Sequence, residues 1–152
     1  MQVKTMPPMT VLYYTTRTTF AGLEDIIGKV PQELQNEANR LQLFISGPQY
    51  WFYFGADGKP DTEFTLEVAL PVKGDVNQST GYQFKHLTPF KCVAATHEGG
   101  WDQLHLTYGK IIPWLFSQGM QMSNDLECRE MYVNVDFEEQ ENNLTEVLVG
   151  IK

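Results

Sequence analysis

The chain has 152 residues, 42% apolar and 20% charged, with 12 glycines and 8 prolines, a composition that excludes a disordered tail or a fibre and fits one folded domain. Eleven Lys and Arg against 19 Asp and Glu leave a formal charge of −8, so the average field repels phosphate backbones and favours cations. Cys92 and Cys128 fit no Cys-x-x-Cys spacing, the first ten residues lack a continuous apolar run, and no stretch reaches roughly 18 apolar residues, so a reducing cytoplasm, no export signal and no membrane span are expected.

Residues 10–19, rich in β-branched and aromatic side chains, predict a first strand. Leu23, Ile27, Val30, Leu34, Ala38 and Leu41 then fall at helical spacing, and Gly28 followed by Pro31 predicts a short turn over 20–30 and a helix starting afresh at Pro31. Gly47-Pro48 breaks the chain before an aromatic strand at 50–54, and a loop at 57–60 precedes a cleanly alternating strand at 64–72. A polar connector over 74–84 leads to a second round: a strand at 90–96, a helix from about Trp101 carrying Leu104, Tyr108, Ile111 and Leu115, and strands at 127–135 and 144–151.

The two rounds share a register. Leu66-Glu67-Val68-Ala69-Leu70 lies over Thr145-Glu146-Val147-Leu148-Val149 at an offset of 146 − 67 = 79, and the same offset carries Trp51 onto Glu130 and Tyr53 onto Tyr132. The expected architecture is one α+β domain over 1–152 with an internal duplication, repeat 1 at about 10–73 and repeat 2 at about 89–152.

In the strand at 127–135, Met131, Val133 and Val135 read as the face packed under a helix, which places Glu130, Tyr132 and Asn134 on the opposite face. Trp51 and Tyr53 hold the matching face of the other half, so a two-fold arrangement gathers Trp51, Tyr53, Glu130 and Tyr132 around one hollow. Ring faces and a carboxylate together suit an organic cation or a flat aromatic. The competing reading is a plain solvated strand face. Glu67 and Glu146 are weaker candidates for the same role, and Trp101, Tyr108, Trp114 and Phe116 read mainly as core, with room for one or two of them to reach the hollow. His86, His97 and His105 have no metal spacing, the acidic residues Asp136, Glu138, Glu139 and Glu141 read as a solvated hairpin end, and no hydrolase or nucleotide motif occurs, so neither metal nor cofactor is expected.

The run Cys128-Arg-Glu-Met-Tyr-Val-Asn134, then Leu144-Thr-Glu-Val-Leu-Val-Gly-Ile151, with His97-Glu-Gly-Gly-Trp101 and Gly47-Pro48 before them, resembles the GyrI-like, AraC-type bacterial effector-binding domains, which also occur fused to MerR-type multidrug regulators. The resemblance spans residues 10–152. It implies a duplicated strand-helix-strand-strand unit, an antiparallel sheet with two helices on one face, and a concave pocket between the halves. It implies further that Glu130 sits in an aromatic pocket and meets lipophilic, often cationic, small molecules, with Tyr132 matching the family's following tyrosine; Trp51 and Tyr53 from the repeat, and Trp101, complete the expected ligand-binding set. A small-molecule binder of bulky hydrophobic, aromatic or cationic ligands is the leading expectation. The alternatives are a hydrolase of cyclopropane-bearing DNA-alkylating toxins using Glu130, and a gyrase-inhibitor-like module with a protein partner. With no stretch left for a helix-turn-helix, direct contact with nucleic acid is not expected.

Overall fold

A computed structural model describes all 152 residues. The elements in chain order are β1 (Gln2–Met6), β2 (Met9–Thr18), α1 (Leu23–Ile27), α2 (Val30–Arg40), β3 (Phe44–Ile45), β4 (Tyr50–Phe54), β5 (Phe64–Lys73), β6 (Gln83–Leu87), β7 (Phe90–Glu98), α3 (Leu104–Ser117), β8 (Glu127–Asn134) and β9 (Leu144–Gly150). The break expected near Gly28 is present: α1 ends at Ile27, and α2 begins with Pro31 in its first turn, where a missing amide hydrogen costs nothing. No helix is long and apolar enough to cross a membrane.

All strands join one antiparallel sheet in the order β1-β7-β9-β8-β4-β5-β2-β6, with β3 also on β5. The order is symmetric about the central β8-β4 pair, where Trp51 lies directly opposite Glu130. Those two residues are also related by the offset of 130 − 51 = 79 that carries β5 onto β9, so a pseudo-two-fold axis runs through this one pair.

The outer strands obey a different register. β6 pairs with β2 as β1 pairs with β7, and the matching residues stand 85 − 4 = 81 apart, Gln2-Val-Lys-Thr-Met6 answering Gln83-Phe-Lys-His-Leu87. Residues 1–9, which have no place in the strand-helix-strand-strand expectation, thus supply the edge of the second half, and the end of the connector supplies the edge of the first. The repeat extends into salt bridges: Lys85 pairs with Glu67, and its counterpart Lys4 pairs with Glu146.

The two longer helices, α2 and α3, cover one face. Leu34 and Ala38 of α2 pack on Leu66, Val68 and Leu70, and Ile111 and Leu115 of α3 pack on Val93, Val147 and Val149. No helix covers the other face, yet Val11, Phe52, Ala69, Cys92 and Leu148 are fully buried there, because the sheet curls around them. Arg129 is 3% exposed on this inner side, stacked on Phe52 and Phe90 and paired with Glu127.

The face expected for β8 is inverted. Met131 turns toward the curled inner side, Val133 and Val135 are 53% and 44% exposed, and Glu130 and Tyr132 are the residues beneath the helices. The apolar pattern misleads because the helix-covered face of β8 carries polar groups that have partners there. Phe116 is likewise not core but exposed on α3, whereas Trp114 is partly buried against the second helix cluster.

Candidate functional site

Because α2 and α3 sit on opposite halves of the sheet, the helix-covered face is left uncovered between them. The result is a cavity of about 1320 Å³ with the central strands β4 and β8 as its floor. One wall comes from Phe20, Leu23 and Ile27, the other from Trp101, Leu104 and Tyr108. These walls also match at an offset of 101 − 20 = 81, since each half enters its helix through a short 3-10 turn, Phe20–Gly22 or Trp101–Gln103.

Glu130 stands at the centre of the floor and is 5% exposed. Its Oε1 accepts hydrogen bonds from the hydroxyls of Tyr132 at 2.7 Å and Tyr53 at 3.3 Å, and its Oε2 accepts one from Tyr108 at 2.7 Å. Tyr53 and Tyr132 are repeat counterparts, so the carboxylate on the axis is clasped once from each half. Burial raises the pKa of Glu130, and the three phenol donors oppose that rise without cancelling it. Burial, together with the negative carboxylate, lifts all three tyrosines well above the ordinary phenol range. Burial also pushes the Cys128 thiol on the same floor up to about 12, so it is neutral and poorly nucleophilic.

Trp51 packs edge-on against Tyr132 at 6.0 Å between ring centres, and Trp101 does so from above at 5.7 Å while also meeting Phe137 at 5.6 Å. Trp101 is held by the turn before α3. The Nε2 of His97 donates to the Gly100 carbonyl, leaving its Nδ1 to accept from the Thr107 hydroxyl, which ties the turn to the helix. Gly99 has φ +109°, a backbone conformation that favours glycine at this turn.

All five residues singled out in the sequence, Trp51, Tyr53, Trp101, Glu130 and Tyr132, therefore line one cavity. Tyr108 joins them as a full partner of Glu130. Its only sequence signal is its place in the apolar stripe of α3, which reads as core. Glu67 and Glu146 do not join: they face the curled inner side, bound to Lys85 and Lys4. No Lys or Arg lines the cavity, whose ionisable groups are Glu130, Asp57, His105, the Cys128 thiol and the tyrosine phenols. Glu130 is thus a buried carboxylate with no basic side chain in the same cavity.

No curated protein matches the chain in sequence. Among solved structures the C-terminal domain of EcmrR aligns with a TM-score of 0.78 at 19% identity, covering 99% of this chain and 96% of that one. EcmrR bound to DNA aligns with a TM-score of 0.80 at 19% identity, covering 99% of this chain and 56% of that one, so this chain spans little more than half its length. SAV2435 bound to tetraphenylphosphonium aligns at 0.63 and 13% identity over 99% and 93% of the two chains, and a hydrolase from Listeria innocua at 0.72 and 12% over 99% and 91%. These are likenesses of fold. The family model of the GyrI-like small molecule binding domain matches residues 1–152.

Proposed function

Since the chain belongs to the GyrI-like small-molecule-binding family, we propose that its ligands are bulky, flat or lipophilic cations, held by Glu130 as the electrostatic anchor between the rings of Trp51, Tyr53, Trp101, Tyr108 and Tyr132. The observation that carries this reading is the burial of Glu130 in a cavity without a single Lys or Arg. A carboxylate so placed has phenol donors but no countercharge, and a desolvated cation supplies one. The fold shared with the tetraphenylphosphonium-bound protein supports the same choice of ligand.

The test is a titration of intrinsic tryptophan emission with tetraphenylphosphonium and with neutral triphenylphosphine oxide. Glu130→Gln weakens the cation about tenfold and leaves the neutral compound nearly unchanged, the loss expected for one partly desolvated charge contact. Equal losses for the two would remove Glu130 as the anchor.

Hydrolysis of strained alkylating compounds is the second reading, favoured by a buried carboxylate whose raised proton affinity suits a general base. Chromatography after incubation with a cyclopropane-bearing alkylator separates the two: sequestration stops at one equivalent, whereas turnover continues. We expect no more than one.

A further inference from the structure

The wall of the cavity contributed by α3 has two rows of residues at helical spacing, Leu104, Tyr108 and Ile112 in one and His105, Gly109 and Pro113 in the other. In an α-helix the carbonyl of residue 109 accepts the N–H of residue 113. Pro113 has no N–H, so this partner of the Gly109 carbonyl is missing inside an otherwise continuous helix of 14 residues. Gly109 has no side chain to shield the carbonyl, and a Cβ built there would meet nothing within 4 Å. Both residues are exposed at the upper part of the cavity. The preceding residue, Tyr108, reaches down to Glu130 with its hydroxyl, so the Gly109 backbone adjoins a side chain that touches the anchoring carboxylate.

From this we infer a second recognition subsite: the Gly109 carbonyl, released by Pro113, accepts a hydrogen bond from an N–H of the ligand while Glu130 faces its positive charge. The inference rests on the reading of the cavity as a cation site and adds a chemical class to it. The favoured ligands are flat cations carrying a peripheral amino group, in preference to the same cations with that group fully alkylated.

The experiment compares 3,6-diaminoacridinium with 3,6-bis(dimethylamino)acridinium, which share charge and ring system and differ in their peripheral N–H groups. Pro113→Ala restores the internal helix bond and competes for the carbonyl. It is expected to lower the affinity of the diamino dye relative to the tetramethyl dye about three- to tenfold, the range of one hydrogen bond. A thermal melt confirms that the variant is folded. As an independent readout, the carbonyl ¹³C resonance of Gly109 in the unaltered protein shifts with the diamino dye and not with the tetramethyl dye. An unchanged affinity ratio together with an unmoved Gly109 resonance would overturn the subsite while leaving the cation site standing. Failure of both dyes to bind the unaltered protein would instead overturn the cation reading, and the subsite with it.

Discussion

The two halves of the molecule share a backbone plan and differ at the residues that meet in the cavity. On the axis the first half places Trp51 and the second Glu130; on the walls the first places Phe20 and Ile27 where the second places Trp101 and Tyr108. Leu23 and Leu104 remain alike on the walls, and Tyr53 and Tyr132 remain alike on the floor, where both bind the same oxygen of Glu130. The first half breaks its helix after Ile27, whereas the second runs α3 without interruption past Gly109. A symmetric scaffold has thus been given an asymmetric interior by changing a few side chains on one side. The carboxylate and the nearest extra phenol both come from the second half, and the first supplies mainly apolar surface.

The most severe way to break that asymmetry is to make the axis symmetric. Trp51→Glu sets a second carboxylate directly across the strand pair from Glu130 and removes a buried ring. It should cost more than about 3 kcal/mol at pH 7, part of which returns at pH 4 to 5 where the pair can hold protons. Urea unfolding at the two pH values measures it, and a loss independent of pH would mean that the two positions do not face each other.

Next in size is Glu130→Gln in the ligand-free protein. The amide oxygen can still accept from Tyr53 and Tyr132, and its nitrogen can donate to Tyr108, so the shape and the hydrogen bonds survive while the charge does not. The folded pKa of Glu130 is raised, so its charge works against folding. Below the unfolded value near 4.3 both states are protonated and nothing is lost, and the penalty grows as pH rises through the folded pKa and is complete above it. The variant should therefore melt a few degrees higher at pH 7 and at nearly the same temperature near pH 4. An equal or lower melting temperature at pH 7 would mean that the phenol donors already offset the burial.

A smaller effect separates the tyrosines. Tyr108→Phe or Tyr132→Phe removes a 2.7 Å donor and should raise the pKa of Glu130 further, while Tyr53→Phe removes one at 3.3 Å and should raise it least. Carboxyl ¹³C titration orders the three, and a dominant Tyr53 would contradict the geometry. The smallest difference lies outside the cavity. Lys85→Met and Lys4→Met break matching salt bridges worth under about 1 kcal/mol each. The Lys85 ammonium also lies 4.5 Å from the centre of the Tyr13 ring, whereas the residue matching Tyr13 beside Lys4 is Ala94. Losing Lys85 should cost about 0.5 kcal/mol more, as denaturation midpoints would record.

The sequence disclosed what repeats and what alternates. The offset joining Trp51 to Glu130 was readable because β4, β5 and the loop between them keep one spacing, and the register across β4 and β8 agrees with it. Three things were not readable. The edge strands follow a different spacing from the inner ones, and β1 joins the half distant from it in sequence, so residues 2–6 had no visible counterpart. The face of β8 was inverted because a binding cavity sets polar groups where a core would have apolar ones, and an alternation rule then selects the wrong side. Tyr108 is not distinguishable in the sequence from the core aromatics of α3, because a phenol in an apolar stripe looks like any other ring until its hydroxyl is seen to have a carboxylate to reach.

The pairing of β1 with β7 also bears on how the chain folds. Gln2 lies opposite Ala94, so β1 must wait for a partner 94 − 2 = 92 residues further along the chain, while β6 follows β5 and returns to β2. The first half completes its sheet from residues 9–87, whereas the second half needs β1 from far outside its own segment. Closing such distant contacts has an entropic cost that precedes the gain from pairing, which places the fold among slow, high contact-order topologies. Tethering the start of the chain elsewhere would uncover the edge of β7 rather than free an idle tail.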